Sequence, residues 1–273
     1  MEITMAVLET RNLTRVFGQM TAVDALNICV ESGEVFGLLG PNGAGKSTAI
    51  KMLTTLLPPT SGTAMVAGCD LACRAHDVRR MIGYVPQILS ADGTLTGYEN
   101  LLIFAKLYDL PRSERKDRVR EALSFMGLSE AADKLVRTYS GGMIRRMEIA
   151  QSLLHRPRLL FLDEPTVGLD PLARKAVWKH IEQLMADYGT TIFLTTHYLE
   201  EADALCSRVA VMHLGKVVAI GTPAHLKASI GGNGDATLNE VFAHYTDADE
   251  VEAESKRSYC ETSRTRTTAR RLG

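Results

Sequence analysis

The segment that most constrains the fold is the glycine-rich stretch 40–48, which lies between an apolar run at residues 35–39 and a helix-like run at residues 49–57. Its glycine, lysine and serine spacing matches a phosphate-binding P-loop in the strand-to-helix context that such a loop requires. Glycines let successive backbone N–H groups surround phosphate oxygens, and the dipole of the following helix reinforces the anion site. A glycine-rich turn in an ordinary βα unit is the alternative, but it does not require this spacing. We therefore expect nucleotide phosphates to bind at Gly40, Pro41, Asn42, Gly43, Ala44, Gly45, Lys46, Ser47 and Thr48.

Two side chains of this loop carry its chemistry. Lys46 can reach the β- and γ-phosphates as a point charge, and the Ser47 hydroxyl is placed to bind Mg²⁺. The loop alone therefore predicts a magnesium–nucleotide site. It leaves a kinase, a GTPase and a transporter ATPase open.

Composition narrows the classes of protein. The 273 residues are 45% hydrophobic, which suits one large domain or two small ones. No apolar stretch approaches the roughly 20 residues that cross a bilayer, so we expect a cytoplasmic chain that meets a membrane only through a partner. A net charge of -1 predicts no nucleic-acid binding. The five cysteines are an odd number and predict no disulfide framework, and no zinc site is expected at Cys69 and Cys73.

The residues before the P-loop strand predict a small antiparallel β layer. Residues 8–15 and 25–30 have strand-like apolar content and are separated by turn-prone residues 17–19. Phe17 stands among polar residues. Taken alone, it is more typical of a packed core aromatic than of a ligand contact.

Residues 63–67 and 82–86 predict two further short strands, the second of which ends beside Gln87. A glutamine at such a strand end can coordinate Mg²⁺ or orient a water. From residue 96 the pattern becomes helical, with a capping box that pairs Thr96 with Glu99. No strand is predicted between residues 87 and 158, so this region is interpreted as a helical insertion in an α/β domain.

The segment 139–143 precedes a helical run at residues 144–155. Ser140, Gly141 and Gly142 would offer free N–H groups and a hydroxyl to an anion. The simpler interpretation is a helix cap with Ser140 as N-cap, which we favour from these residues alone.

A continuous apolar run at residues 159–162 ends in Asp163 and Glu164. Such a run is typical of a parallel strand covered on both faces, and ligands gather at the carboxyl ends of these strands. We expect Asp163 to hold Mg²⁺ and Glu164 to act on the attacking water as a base or a water-positioning group. A solvated acidic loop is the alternative.

The next predicted strand, residues 191–195, ends at His197, for which we expect a γ-phosphate contact because it lies at the same sheet edge. A turn at residues 167–171 and a helix at residues 172–188 precede this strand. A helix at residues 199–205 and a hairpin at residues 209–220 follow it.

The ordered set of these motifs closely resembles the ATP-binding subunits of ABC transporters, over residues 8–226. The resemblance implies a RecA-like P-loop NTPase core, α/β in class, with a small antiparallel β layer and an inserted α-helical subdomain. The expected domains are an ATP-binding domain at residues 1–230 and a C-terminal extension at residues 231–273. Within the first, the core comprises residues 1–87 and 156–230, and the helical subdomain comprises residues 88–155.

The resemblance also assigns roles that the residues alone do not. It implies that Phe17 stacks on adenine, that Gln87 serves Mg²⁺ and interdomain signalling, and that His197 is the switch histidine. The family signature, usually Leu-Ser-Gly-Gly-Gln, corresponds to residues 139–143, where Tyr139 and Met143 depart from it. In the family, one subunit's P-loop and another's signature enclose each ATP, so the sites would be completed by Ser140, Gly141, Gly142 and Asp170 of the opposite subunit.

This geometry implies a head-to-tail homodimer, with a heterodimer left open.

Within the family the sequence is similar to drug-resistance exporter ATPases. The implied function is ATP hydrolysis that drives export of a drug, lipid or saccharide through partner permease subunits. The implied location is the cytoplasmic side of the membrane. An importer ATPase and a soluble ABC-type ATPase acting on ribosomes or DNA remain alternatives.

The C-terminal composition is of a different kind. Residues 231–234 resemble a flexible link, and residues 247–273 are expected to be disordered because acidic residues are followed by a Ser/Thr/Arg-rich end. A sharper hypothesis is that Arg264, Arg266, Arg270 and Arg271 contact anionic lipid headgroups.

Overall fold

The computed structural model describes residues 6–230 and 236–246. The strands are β1 (Ala6–Phe17), β2 (Met20–Leu26), β3 (Cys29–Glu31), β4 (Val35–Leu39), β5 (Ser61–Val66), β6 (Cys69–Asp70), β7 (Ile82–Val85), β8 (Leu159–Asp163), β9 (Thr191–Thr196), β10 (Arg208–His213) and β11 (Lys216–Gly221). The helices are α1 (Lys46–Leu53), α2 (Ala75–Met81), α3 (Gly97–Leu107), α4 (Arg115–Phe125), α5 (Gly141–Leu153), α6 (Pro171–Tyr188), α7 (Leu199–Leu205) and α8 (Pro223–Ser229), with short 3₁₀ turns at Ser129–Ala131 and Val136–Thr138.

A six-stranded sheet in the order β11-β10-β4-β9-β8-β7 forms the centre of the fold. Its strands run parallel except β11, which closes one edge as an antiparallel hairpin with β10. Strands β4, β8 and β9 are buried along their whole length, as expected for a parallel sheet covered on both faces. The carboxyl ends of these three neighbouring strands therefore meet at one edge.

The second sheet is the predicted antiparallel layer, but one of its strands was predicted wrongly. The expected strand at residues 25–30 is split between β2 and β3, which both pair with β1. The break has a local cause: the side chain of Asn27 donates to Ala25 O at 2.7 Å and accepts from Asn12 N at 2.8 Å. Such side-chain bonds compete with the strand ladder, and Ala25 accordingly adopts a φ of 47°.

The region between β7 and β8 is helical, as predicted. Helix α3 begins with the expected capping box, in which Thr96 Oγ1 accepts from Glu99 N at 3.1 Å and Glu99 accepts from Thr96 N at 2.9 Å. Between residues 88 and 155 the only strand-like feature is an isolated bridge between Thr96 and Leu135. The α/β class with an inserted helical region is thus confirmed.

The described residues divide into two units, one of residues 6–222 and the other of residues 223–230 and 236–246. In the second unit the described residues form α8 and a helical segment at residues 238–246. A capping box in which Thr237 N donates to Glu240 at 2.8 Å starts that segment. The predicted link at residues 231–234 and the predicted disordered segment with its four arginines lie outside the described residues. Among the residues that are described, no helix combines the length and the apolar character needed to span a bilayer.

Candidate functional site

The glycine-rich loop leaves β4 at Leu39 and enters α1 at Lys46. Two of its glycines have no room for a side chain: a Cβ on Gly40 would lie 2.3 Å from Met212 O, and a Cβ on Gly45 would lie 2.3 Å from Ala22 O. Gly45 also has a φ of 106°, in the left-handed region that side chains rarely adopt. The loop conformation therefore depends on glycine at both positions.

Lys46 is the buried cation of this loop, with 4% of its side chain exposed. Its Nζ donates to Gly40 O at 2.7 Å and to Pro41 O at 3.0 Å, and it forms an ion pair with Glu164 Oε1 at 3.2 Å. A buried ammonium is tolerated only when it is paired and hydrogen bonded. The loop thus holds a positive charge at the start of α1, where helix N–H groups also point.

Ser47 and Asp163 meet across the sheet edge. Ser47 Oγ donates to Asp163 Oδ1 at 3.2 Å. Thr195, paired with Asp163 in the β8–β9 register, donates to the same oxygen at 2.6 Å. Thr195 was not predicted as a site residue, because a threonine inside a strand carries no signal of such a bond.

Burial first, and the negative charge of Asp163 second, raise the pKa of Tyr84 to about 12.

The hydroxyl and carboxylate oxygens of Ser47 and Asp163 are ligands of the hard type that Mg²⁺ prefers. Within residues 6–230 and 236–246, no group of three or more His, Cys, Asp or Glu side chains could hold a metal ion. Ser47 and Asp163 together fit Mg²⁺ because this ion is usually bound through one or two carboxylates, with phosphate oxygens and water completing its shell.

Glu164 lies at the centre of the predicted site, with 5% of its side chain exposed. Its Oε2 accepts from Gln87 Nε2 at 3.2 Å and lies 3.1 Å from His197 Nδ1, while its Oε1 faces Lys46. Glu164 also has a φ of 48°, and its N–H donates to Thr195 O at 3.1 Å. The structure thus brings together the four side chains predicted as catalytic.

The segment 139–143 starts α5. Ser140 is exposed and caps the helix by accepting from Met143 N at 3.3 Å, so the simple cap interpretation describes its bonds in this chain. Gly142 is buried, and a Cβ there would lie 2.9 Å from Ala173 Cβ. Asp170 caps α6 by accepting from Leu172 N at 3.0 Å and Ala173 N at 2.9 Å. Two helix N-termini with exposed caps therefore lie side by side.

Tyr139, which replaces the usual leucine of the signature, has a structural role. Its hydroxyl donates to Ala131 O at 2.6 Å, and a Cβ added at Gly97 would lie 2.2 Å from that hydroxyl oxygen. Burial raises the pKa of Tyr139. The phenol thus fastens the start of α5 to the rest of the helical region.

Phe17 lies at the end of β1 with 41% of its surface exposed, so its assignment from the residues alone as a core aromatic is wrong. The guanidinium of Arg15 lies 4.6 Å from the ring centroid. Phe17 is the last residue of β1 and is followed directly by the β1–β2 turn, where its ring is exposed.

Comparison with known proteins shows the family of the chain. Residues 23–167 match the family model described as ABC transporter. The chain is 49% identical over 226 residues to the daunorubicin/doxorubicin resistance ATP-binding protein DrrA of Streptomyces peucetius, covering 83% of this chain and 68% of that protein. It is 43% identical over 221 residues to the Nod factor export ATP-binding protein I of Cupriavidus metallidurans, covering 81% and 73%.

A solved structure described as the ATP-binding subunit of an ABC transporter has a similar fold. The TM-score is 0.77 at 31% sequence identity, covering 88% of this chain and 99% of that one. This similarity confirms the expected P-loop NTPase fold.

Proposed function

The chain belongs to the ABC transporter family, and from this premise we propose that it is the ATP-hydrolysing subunit of an exporter. Membership makes it an ATP-binding protein and an ATPase. The similar proteins described above are named for drug resistance and for Nod factor export, which supports export over import. A drug, lipid or saccharide is the class of substrate proposed, carried by permease subunits and never bound by this chain.

The observation that carries the catalytic proposal is the buried cluster around Glu164. Glu164 would accept a proton from the attacking water or orient it, because its carboxylate faces the loop that would bind phosphate. Lys46 already lies beside the P-loop carbonyls and would exchange its Glu164 contact for phosphate oxygens. Gln87 and His197 bond the same carboxylate oxygen and would orient it and contact the γ-phosphate, respectively.

Mg²⁺ would be held by Ser47 and Asp163, with Gln87 as a further ligand, and would neutralise charge on the phosphates. Adenine would stack on Phe17, whose exposed ring lies at the end of β1.

We propose further that each site is completed by a second copy of the chain. The N-terminus of α5, where Ser140 and Gly141 are exposed and Gly142 lies buried beneath them, offers N–H groups and a hydroxyl, which suit an anion supplied from outside this chain. Asp170 lies exposed at the neighbouring helix start. A head-to-tail homodimer would pair these groups with the P-loop of the other subunit and create two sites.

The proposed organisation follows from this role. The ATP-binding domain comprises residues 1–230, with a helical subdomain at residues 88–155 facing the permease, and residues 231–273 form an extension. The subunit would bind peripherally at the cytoplasmic side of the membrane. A net charge of -1 supports the absence of a nucleic-acid partner.

Phosphate release by the purified full chain with ATP and Mg²⁺ tests the catalytic proposal. Lys46→Ala should weaken ATP binding in a direct titration, whereas Lys51→Ala, an exposed lysine of the same helix, should bind ATP normally. Glu164→Gln should retain ATP binding and lose turnover, with exposed Glu182→Gln of α6 as the matched control. Unchanged turnover in Glu164→Gln would refute the role of that carboxylate.

A further inference from the structure

Helix α5 carries a buried ion pair that none of the roles described above uses. Arg145 Nη1 and Glu148 Oε2 lie 3.2 Å apart, and each side chain is 2% exposed. Because both side chains are held away from water, burial lowers the pKa of Arg145 and raises that of Glu148. Because desolvating two charges usually offsets their attraction, stability alone does not explain such a pair.

The guanidinium of Arg145 binds the main chain that follows β7. It donates to Pro86 O at 2.7 Å and to Gln87 O at 2.8 Å. The planar fork of an arginine suits two neighbouring carbonyl acceptors, which a lysine cannot match in geometry. The backbone on both sides of the Gln87 amide nitrogen is thereby fixed to α5.

Glu148 binds the same loop a few residues later. Its Oε1 accepts from Ser90 N at 2.5 Å and from Ser90 Oγ at 3.2 Å. Residues 86–92 contain no helix or strand. The bonds to Glu148 therefore do for this segment what the main-chain hydrogen bonds of a helix or a sheet do elsewhere. Arg145 and Glu148 thus bind the loop of residues 86–92 at two points, on either side of the exposed Ile88 and Leu89.

The clamped loop carries the side chain that bonds the proposed catalytic carboxylate. Gln87 Nε2 donates to Glu164 Oε2 at 3.2 Å. Arg145 lies five residues after Ser140, or about one and a half turns along the same helix. One helix therefore connects the N-terminus proposed to meet the opposite subunit's nucleotide with the main chain at Gln87.

We infer that Arg145 and Glu148 are positioning residues, which hold the Gln87 side chain against Glu164 and make its position follow that of α5. The inference rests on the proposed function, since it needs Glu164 to act in hydrolysis. Neither residue is among those proposed to bind nucleotide or Mg²⁺. Their effect on the rate passes through Gln87, and a misplacement of about 1 Å can cost about a hundredfold in rate.

Steady-state ATP hydrolysis and direct ATP titration of the full chain test this inference. Arg145→Lys keeps the charge but loses the planar fork, so kcat should fall about tenfold or more while the Kd for ATP stays within about twofold. Arg112→Lys, an exposed arginine outside the site, is the matched control and should leave both unchanged. An unchanged kcat in Arg145→Lys would overturn the inference.

A double-mutant cycle with Gln87→Ala separates positioning from a general loss of stability. If Arg145 acts through Gln87, the double variant should be no slower than Gln87→Ala alone. A purely structural role predicts additive losses, and additivity would overturn the inference. Should Arg145→Lys fail to fold, Glu148→Gln, which keeps an acceptor for Ser90 N, enters the same cycle with the same two outcomes.

The inference and the proposed function fail in different ways. Wild-type protein without ATPase activity, or full activity in Glu164→Gln, would contradict the proposed function. The positioning role alone would be rejected by a different result. In that case the wild type hydrolyses ATP normally and Glu164→Gln is inactive, but the losses in the double-mutant cycle are additive.

Discussion

Thr195→Val removes a buried hydroxyl while nearly preserving the shape of the side chain. Thr195 is fully buried, and its hydroxyl donates to Asp163 Oδ1 at 2.6 Å and accepts from Glu164 N at 3.0 Å. The first bond goes to a carboxylate, and bonds to charged groups contribute about 1.5–3 kcal/mol. The second bond contributes little to the free energy of unfolding, because the Glu164 N–H also donates to the Thr195 carbonyl oxygen and keeps that acceptor when the hydroxyl is removed. We therefore expect the free energy of unfolding to fall by about 2 kcal/mol.

Urea unfolding of the nucleotide-free protein in a metal chelator measures this loss. Asp163→Asn provides the background for a cycle, since a bond to a neutral amide is worth about 1 kcal/mol. Thr195→Val should therefore cost about 1 kcal/mol less in that background than in the wild type. A loss below about 0.5 kcal/mol, or an equal loss in both backgrounds, would refute the charge-assisted bond.

Three further predictions concern other parts of the chain. Tyr139→Phe should lower the free energy of unfolding by about 1 kcal/mol in urea, because the Ala131 carbonyl loses its buried donor; an unchanged midpoint would contradict this. Gly45→Ala should abolish ATP binding in a titration and lower the melting temperature more than Gly189→Ala, whose Cβ meets no atom within 4 Å. Burial lowers the pKa of His155, so the unfolded chain takes up the proton first and stability should fall as pH drops below about 6.5; urea midpoints at about pH 7.5 and 5.5 should differ less in His155→Asn.

Local patterns were sufficient to predict the parts of the fold that position the site. The apolar runs of β4, β8 and β9 each end in polar or glycine residues, and parallel strands bring such ends to one edge. For that reason Lys46, Asp163, Glu164 and His197 could be expected together before their distances were known. The Thr96 capping box could also be predicted from a local pattern, because its hydrogen bonds join residues only three positions apart.

The features that sequence reasoning missed depend on residues far apart in the chain. Thr195 contacts Asp163 only because of the β8–β9 register, and Arg145 meets Gln87 across 58 positions. A polar residue in a strand or an arginine in a helix is usually exposed or structural, so neither carries a sequence signal. The break in the chain at Asn27 likewise depends on a bond to Asn12 of the neighbouring strand β1.

We propose above that Glu164 drives hydrolysis in a site shared by two copies of the chain. Size-exclusion chromatography with light scattering on Glu164→Gln, with and without ATP and Mg²⁺, tests it most directly. We predict a monomer without nucleotide and, with ATP, a dimer that retains unhydrolysed ATP at one molecule per chain. A variant that remains monomeric with ATP bound, or that hydrolyses ATP at the wild-type rate, would contradict the claim.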